Sequence, residues 1–217
     1  MKAVVAGATG LIGKFLIAEL EKDSAYESVI ALTRKAKENT VKTTWKVIDF
    51  DSKDELDNAT KGADIAFCCL GTTMKQAGSK DAFIKVDYQY VVDFAKAAKQ
   101  NNARQFSVIS AMGADAKSKI FYNQVKGEME EAIQNLGFSE LIIFHPSLLL
   151  GPRDENRLGE KIGTILGKIF SPLLFGSLKK YQTIHVSKIA KAMIAVAKIK
   201  ADRDRVLEYN GIIELAK

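Results

Sequence analysis

Residues 3–13 read AVVAGATGLIG, and the fold is decided there. An apolar run from Ala3 to Ala6 stops at Gly7, Gly10 and Gly13, and an apolar helical pattern begins at Leu11. This predicts a strand, a tight glycine turn and a helix start. Bare backbone N–H groups at a helix N-terminus, with no Cβ in front of them, make a seat for a pyrophosphate. Gly7 permits the turn, Gly10 lets the phosphates approach, and Gly13 lets the helix pack closely on the strand. Thr9, Leu11 and Ile12 fill out the same turn and join the glycines as candidate cofactor contacts. Alone, such a motif is a weak signal and an ordinary glycine-rich turn would look similar. Its place directly after a strand and before a helix makes it a dinucleotide signature.

Outward from this stretch, strands and helices alternate. Strands are expected at 2–6, 28–33, 44–49, 64–69, 106–110, 141–144 and 206–210. Helices are expected at 11–22, 53–60, about 80–100, about 121–136 and 187–199. Near-continuous apolar strands separated by amphipathic helices indicate an α/β fold: a doubly wound parallel sheet of about seven strands covered on both faces. Right-handed crossovers then place the ligand crevice at the C-terminal ends of the strands. The segments expected to face it are 7–13, 33–35, 49–50, 70–73, 110–113 and 145–149. Residues 153–180 differ, with Gly159, Gly163, Gly167, Pro172 and Gly176 in an apolar background. They read as a small helical substrate cap, or as an amphipathic membrane-surface element. The whole chain, 1–217, is expected to be one nucleotide-binding domain with that cap.

The 217 residues are 47% hydrophobic and 27% charged, proportions of an ordinary globular protein. The fold is expected to begin at residue 2 with no signal peptide before it, and no apolar run is long enough to span a bilayer. Cys68 and Cys69 are adjacent in an expected strand, with side chains on opposite faces, which argues against a structural disulfide. A reducing, cytoplasmic setting is the expectation. The net charge of +6 is scattered among acids on helix faces with no basic run interleaved with aromatics, so direct nucleic-acid binding is not expected.

The end of strand two selects the cofactor. A carboxylate there grips the ribose hydroxyls of NAD. This chain carries Thr33, Arg34 and Lys35 instead, with no acid until Glu38. Two cations suit a 2′-phosphate, so NADP(H) is expected over NAD(H). The plainer alternative is that Arg34 and Lys35 start a solvated loop. Asp49 and Phe50 follow strand three, where the carboxylate could accept from the adenine amino group and the ring cover the base, or both could simply end the strand.

Tyr122 and Lys126 lie one helical turn apart and share a face. Ser110 closes strand five, and the loop 111–120 is long enough to bring all three together. An ammonium beside a phenol favours its ionised form and lowers its titration point, fitting Tyr122 to exchange a proton with a carbonyl or alcohol. Ser110 would hydrogen-bond the same oxygen, and Lys126 would also hold the nicotinamide ribose. The alternative is an ordinary aromatic beside a solvated lysine. His145 and His185 read as packed or capping histidines, and no cluster has metal-ligand spacing.

GATGLIG with Ser110 and the Tyr122-x-x-x-Lys126 pair resembles the short-chain dehydrogenase/reductase superfamily, whose nucleotide-binding part is a Rossmann fold. The glycine spacing is similar to the extended and atypical branches. HPSLLLGPR (145–153) resembles the segment after strand six in those branches, which implies that Pro146, Leu148 and Leu149 contact the nicotinamide side. Cys69, Leu70 and Gly71 match the cofactor-touching loop after strand four, and Val86 a helix position facing it. CCLGTT and ISAMGAD look most like the Tat-interacting-protein-like atypical reductases, which implies NADPH binding. His145 stands where the extended branch usually has arginine, which counts against a nucleotide-sugar substrate.

Two functions compete. One is an NADP(H)-dependent oxidoreductase acting on a small carbonyl or alcohol. The other is a non-catalytic NADPH sensor acting through a protein partner. A homodimer through the helices at 80–100 and 121–136 is compatible with either.

Overall fold

Strand β1 (Lys2–Ala6) is buried from Ala3 onward, as a central strand covered on both faces must be. It hydrogen-bonds in parallel to β2 (Ser28–Thr33) on one side and β4 (Ile65–Cys68) on the other. The computed structural model describes residues 1–151, 182–199 and 205–217. With β3 (Thr43–Val47), β5 (Gln105–Ile109), β6 (Glu140–Phe144) and β9 (Arg205–Leu207), the sheet runs in the order β3-β2-β1-β4-β5-β6-β9, every pair parallel. The strand order reverses between β1 and β4, so the crevice of this doubly wound sheet opens above those two strands. A second, two-stranded pair joins β7 (Leu149–Leu150) to β8 (Ile184–His185).

Helices cover both faces. Helix α1 (Leu11–Lys22) packs with α7 (Val186–Ala197) and α8 (Tyr209–Leu215) over a core that includes Leu16, Leu20, Phe67, Ile142, Phe144 and Met193. The opposite face carries α2 (Lys53–Thr60), α5 (Tyr90–Gln100) and α6 (Phe121–Gln134), over Val4, Leu32, Phe94, Phe106, Met129 and Ile143. His185 caps α7 by accepting from the Ser187 N–H, the capping role expected of it.

The expected single helix at 80–100 has internal structure. Short α3 (Met74–Ala77) precedes α4 (Lys80–Ile84), and a π-helical turn at Lys85–Gln89 joins α4 to α5. A π turn widens the helix by one residue and re-aims the side chains it carries. Here it turns Asp87 inward to 1% exposure. The last strand ends at Leu207, short of the expected 210, and α8 follows it. The expected cap at 153–180 lies outside the described residues.

Candidate active site

The glycine turn is held by its surroundings. Gly7 has φ +74°, and a Cβ there would stand 2.4 Å from the Cys69 carbonyl carbon and oxygen. A Cβ on Gly13 would stand 2.1 Å from the Gly7 carbonyl oxygen, so α1 meets the turn backbone to backbone. Gly10 is the N-cap of α1 and offers no side-chain acceptor, and the first turn holds no acidic residue. The orphan N–H groups of that turn and the positive end of a twelve-residue helix therefore face outward, a fit for a diphosphate.

They face a cavity of about 770 Å³. It is lined by Thr9, Gly10, Leu11 and Ile12 from the turn, and by Cys69, Leu70 and Gly71 beyond β4. Ser110, Tyr122 and Lys126 line its far wall, with Pro146 and Leu149 closing it. The expected cofactor-binding residues beside the nicotinamide end thus surround one space. Gly7 and Gly13 shape the turn from behind, Val86 sits half-buried beside Asp87 in the π turn, and Leu148 is exposed.

Residues expected at the adenine end do not line this cavity. The Thr33 hydroxyl accepts from the Lys35 N–H at 3.2 Å and donates to the Lys35 carbonyl at 2.9 Å, fixing the turn that leaves Arg34 and Lys35 exposed. The Asp49 carboxylate accepts from the Asp51 N–H at 2.9 Å. Phe50 is only 7% exposed, with its ring 5.5 Å from that of Tyr90. A local turn engages Asp49, and the core holds most of Phe50.

The loop 111–120 folds back as expected. It lies on α6 at Gly127, where a Cβ would stand 2.1 Å from the Ala116 amide nitrogen, and the Asp115 N–H donates to the Asn123 carbonyl at 3.0 Å. This sets Tyr122 on the cavity wall at 38% exposure, braced by fully buried Phe83 at 5.8 Å between ring centroids.

Lys126 has a partner that the sequence did not disclose. Its Nζ stands 2.9 Å from Asp87 Oδ1, and both side chains are buried. The other Asp87 oxygen accepts from the Thr72 N–H at 2.8 Å. One carboxylate thus ties the loop after β4 to the helix carrying Tyr122 and Lys126. Burial disfavours the lysine charge, but attraction to Asp87, Tyr122 and Cys68 together with the Asp87 hydrogen bond outweighs it, and the ammonium titrates above its ordinary range. Lys126 lowers the Tyr122 phenol as expected, but the net shift is upward. Loss of hydration pushes that phenol up, Lys126 opposes the rise, and Asp87 adds to it. Tyr122 is therefore protonated at neutral pH, the form that donates.

Two more residues of this region escaped the sequence reading as site residues. Glu130, one turn beyond Lys126 on α6, accepts from the Ser110 hydroxyl, and His145 Nε2 stands 2.8 Å from the same oxygen, Oε1. The i, i+4 spacing from Lys126 to Glu130 was the signal available.

Cys68 and Cys69 are free thiols, and burial pushes Cys68 from 9.0 up to about 12. Below pH 9.0 both folded and unfolded states keep that proton; as pH rises toward about 12 the unfolded thiol ionises first, so stability is lost. Buried Tyr26 and Lys126, also raised, act in the same direction at higher pH. The urea midpoint should fall steadily above about pH 9, and less steeply in Cys68→Val. An unchanged slope in that variant would assign the loss to other groups.

A family model described as NAD(P)H-binding matches residues 7–199. Protein HTATIP2 of Rattus norvegicus is 33% identical over 217 residues, covering 98% of this chain and 88% of that one. The chain is an atypical short-chain dehydrogenase/reductase of the HTATIP2 type. Its fold and family are those of nucleotide-dependent redox proteins. A short-chain dehydrogenase/reductase superfamily protein from Agrobacterium tumefaciens, solved with bound NAD, superposes with a TM-score of 0.72 at 13% identity, over 96% of this chain and 77% of that one. That likeness speaks to the fold alone. Protein FMP52 of Eremothecium gossypii, named as mitochondrial, is 29% identical over 221 residues, covering 100% of this chain and 98% of that one. The expectation of a purely cytoplasmic setting is corrected by this relative and by its Candida albicans counterpart, also named as mitochondrial and 33% identical over 197 residues. Among the described residues no helix is long and apolar enough to cross a membrane.

Proposed function

We propose that this protein is an NADP(H)-dependent oxidoreductase acting on a small carbonyl or alcohol. The observation that carries the reading is the single cavity shared by the uncapped start of α1 and the Tyr122–Lys126 face of α6. The nicotinamide, when bound, supplies or accepts a hydride. The chain's residues do the rest. The N–H groups after Gly10 hold the diphosphate. Lys126, anchored by Asp87, holds the nicotinamide ribose. Cys69, Leu70 and Gly71 form one wall of the ring's site, and Pro146 and Leu149 the other. Tyr122, protonated at neutral pH, donates its phenolic proton to the carbonyl oxygen, and Ser110 orients that oxygen. The intact Ser110, Tyr122 and Lys126 set supports turnover over a purely sensing role.

The test is a screen of carbonyl compounds for NADPH oxidation by wild type and Tyr122→Phe. The expected loss in the variant is about 10²–10⁴-fold in kcat with NADPH affinity kept. Tight NADPH binding with no turnover across a broad panel would reject the enzyme reading.

Arg34 and Lys35 are the proposed seat of the 2′-phosphate, since the turn fixed by Thr33 leaves both exposed beyond β2. Arg34→Ala should weaken NADPH binding about tenfold or more, the worth of a charge-assisted contact, and leave NADH binding unchanged. Equal losses for the two nucleotides, read by fluorescence titration, would contradict the preference.

A further inference from the structure

Ser110 lines the cavity, but the single proton of its hydroxyl is directed away from it, to Glu130 Oε1. That oxygen also lies 2.8 Å from His145 Nε2. The three come from separate elements: buried Ser110 just after β5, Glu130 at 8% exposure on α6, and half-buried His145 just after β6. We propose, on the oxidoreductase reading of this site, that Glu130 is a positioning residue whose protonation sets the direction of the Ser110 hydrogen bond to substrate, and that His145 exchanges the proton with it.

A serine hydroxyl donates one hydrogen bond and accepts two. While Glu130 is ionised it is acceptor-only, so it takes the Ser110 proton, and the serine oxygen turns lone pairs toward the cavity. Ser110 then accepts from an alcohol and offers nothing to a carbonyl. When Glu130 gains a proton from the His145 imidazolium, it has a donor of its own and no longer requires the serine's. Ser110 can then turn its proton to a carbonyl oxygen. One proton is taken up by the imidazole from solvent hydronium and passed from Nε2 to Oε1, leaving a neutral imidazole and a neutral carboxyl; nothing is oxidised or reduced in that transfer. Lys126, one turn earlier on α6, pairs with Asp87 from the π turn, and Tyr122 stands on the cavity wall beside them.

The experiment pairs a readout that needs no turnover with one that does. Carbon-13 resonances of the glutamate carboxyls and nitrogen-15 resonances of the His145 ring are followed through pH in wild type, Ser110→Ala and Glu130→Gln. The expected result is that Glu130 and His145 titrate as a coupled pair, and that Ser110→Ala moves both. In kinetics with NADPH and a small dicarbonyl probe, the wild-type kcat profile should carry a step toward acid that Glu130→Gln removes and Glu130→Asp retains. Oxidation of the corresponding alcohol should fall about tenfold in Glu130→Gln, the worth of one hydrogen bond to a charged group, with NADPH affinity unchanged. Independent titration of the two residues, insensitive to Ser110→Ala, would overturn the proposal. So would superimposable pH profiles in wild type and Glu130→Gln. Coupled titration without turnover of any probe would uphold the hydrogen-bond direction and reject the oxidoreductase reading instead.

Discussion

Lys126→Met is expected to remove about 3–5 kcal/mol of folding stability along with most turnover, because it leaves the Asp87 carboxylate buried without its ammonium. Domains of this size are stable by only about 5–15 kcal/mol, so the variant should unfold at a much lower urea concentration. The partner's substitution separates the two roles of the lysine. Asp87→Asn keeps an acceptor for the Thr72 N–H while removing the charge. The double variant, Asp87→Asn with Lys126→Met, should be more stable than Lys126→Met alone, because no bare charge remains in the interior. It should stay inactive, because nothing holds the ribose beside Tyr122. Equal urea midpoints for Lys126→Met and wild type would mean that the pair contributes nothing to the fold.

Gly7→Ala carries the second large effect. The left-handed φ of +74° is strained for alanine, and its Cβ would lie 2.4 Å from backbone atoms of Cys69 that cannot rotate away. Strain and overpacking each cost about 1–3 kcal/mol, and here they act together. Relief requires the turn to part from the loop after β4, which displaces the N–H groups of α1 from the cavity. Nucleotide affinity should fall about a hundredfold, the worth of one or two backbone hydrogen bonds to a charged diphosphate. Gly62→Ala is the control: its φ is +71°, but a Cβ there would meet nothing within 4 Å. That variant should lose about 1 kcal/mol and keep its nucleotide affinity. Similar affinity losses in both would assign the effect to general destabilisation.

The parallel sheet was legible because its strands announce themselves as short apolar runs, each bounded by polar or glycine residues. The turn at Gly7–Gly13 was legible because its chemistry is local. Where contacts are made across the fold, the sequence was silent. Residues 80–100 carry a continuous helical pattern, and the π turn at Lys85–Gln89 leaves no mark in it. Its effect appears only when Asp87 meets Lys126 and the Thr72 N–H, each distant in sequence. The net direction for Tyr122 differed from expectation because burial of the phenol, set by packing across the fold, outweighs the lowering by Lys126. Asp49 and Phe50 stood at the expected strand end, but a neighbouring amide and the Tyr90 ring engage them. Helix α8 contains Asn210 and Gly211, poor helix formers, so its start reads as part of the expected strand 206–210 and the rest gives no helical signal.

On the proposed reading, the N-terminus of α1 and the Tyr122–Lys126 face serve one dinucleotide. Calorimetric titration with NADPH and NADH tests it most directly. The expected result is saturable one-to-one binding to wild type, kept in Tyr122→Phe and weakened about a hundredfold in Gly7→Ala. A folded wild-type protein that takes up neither nucleotide would contradict it.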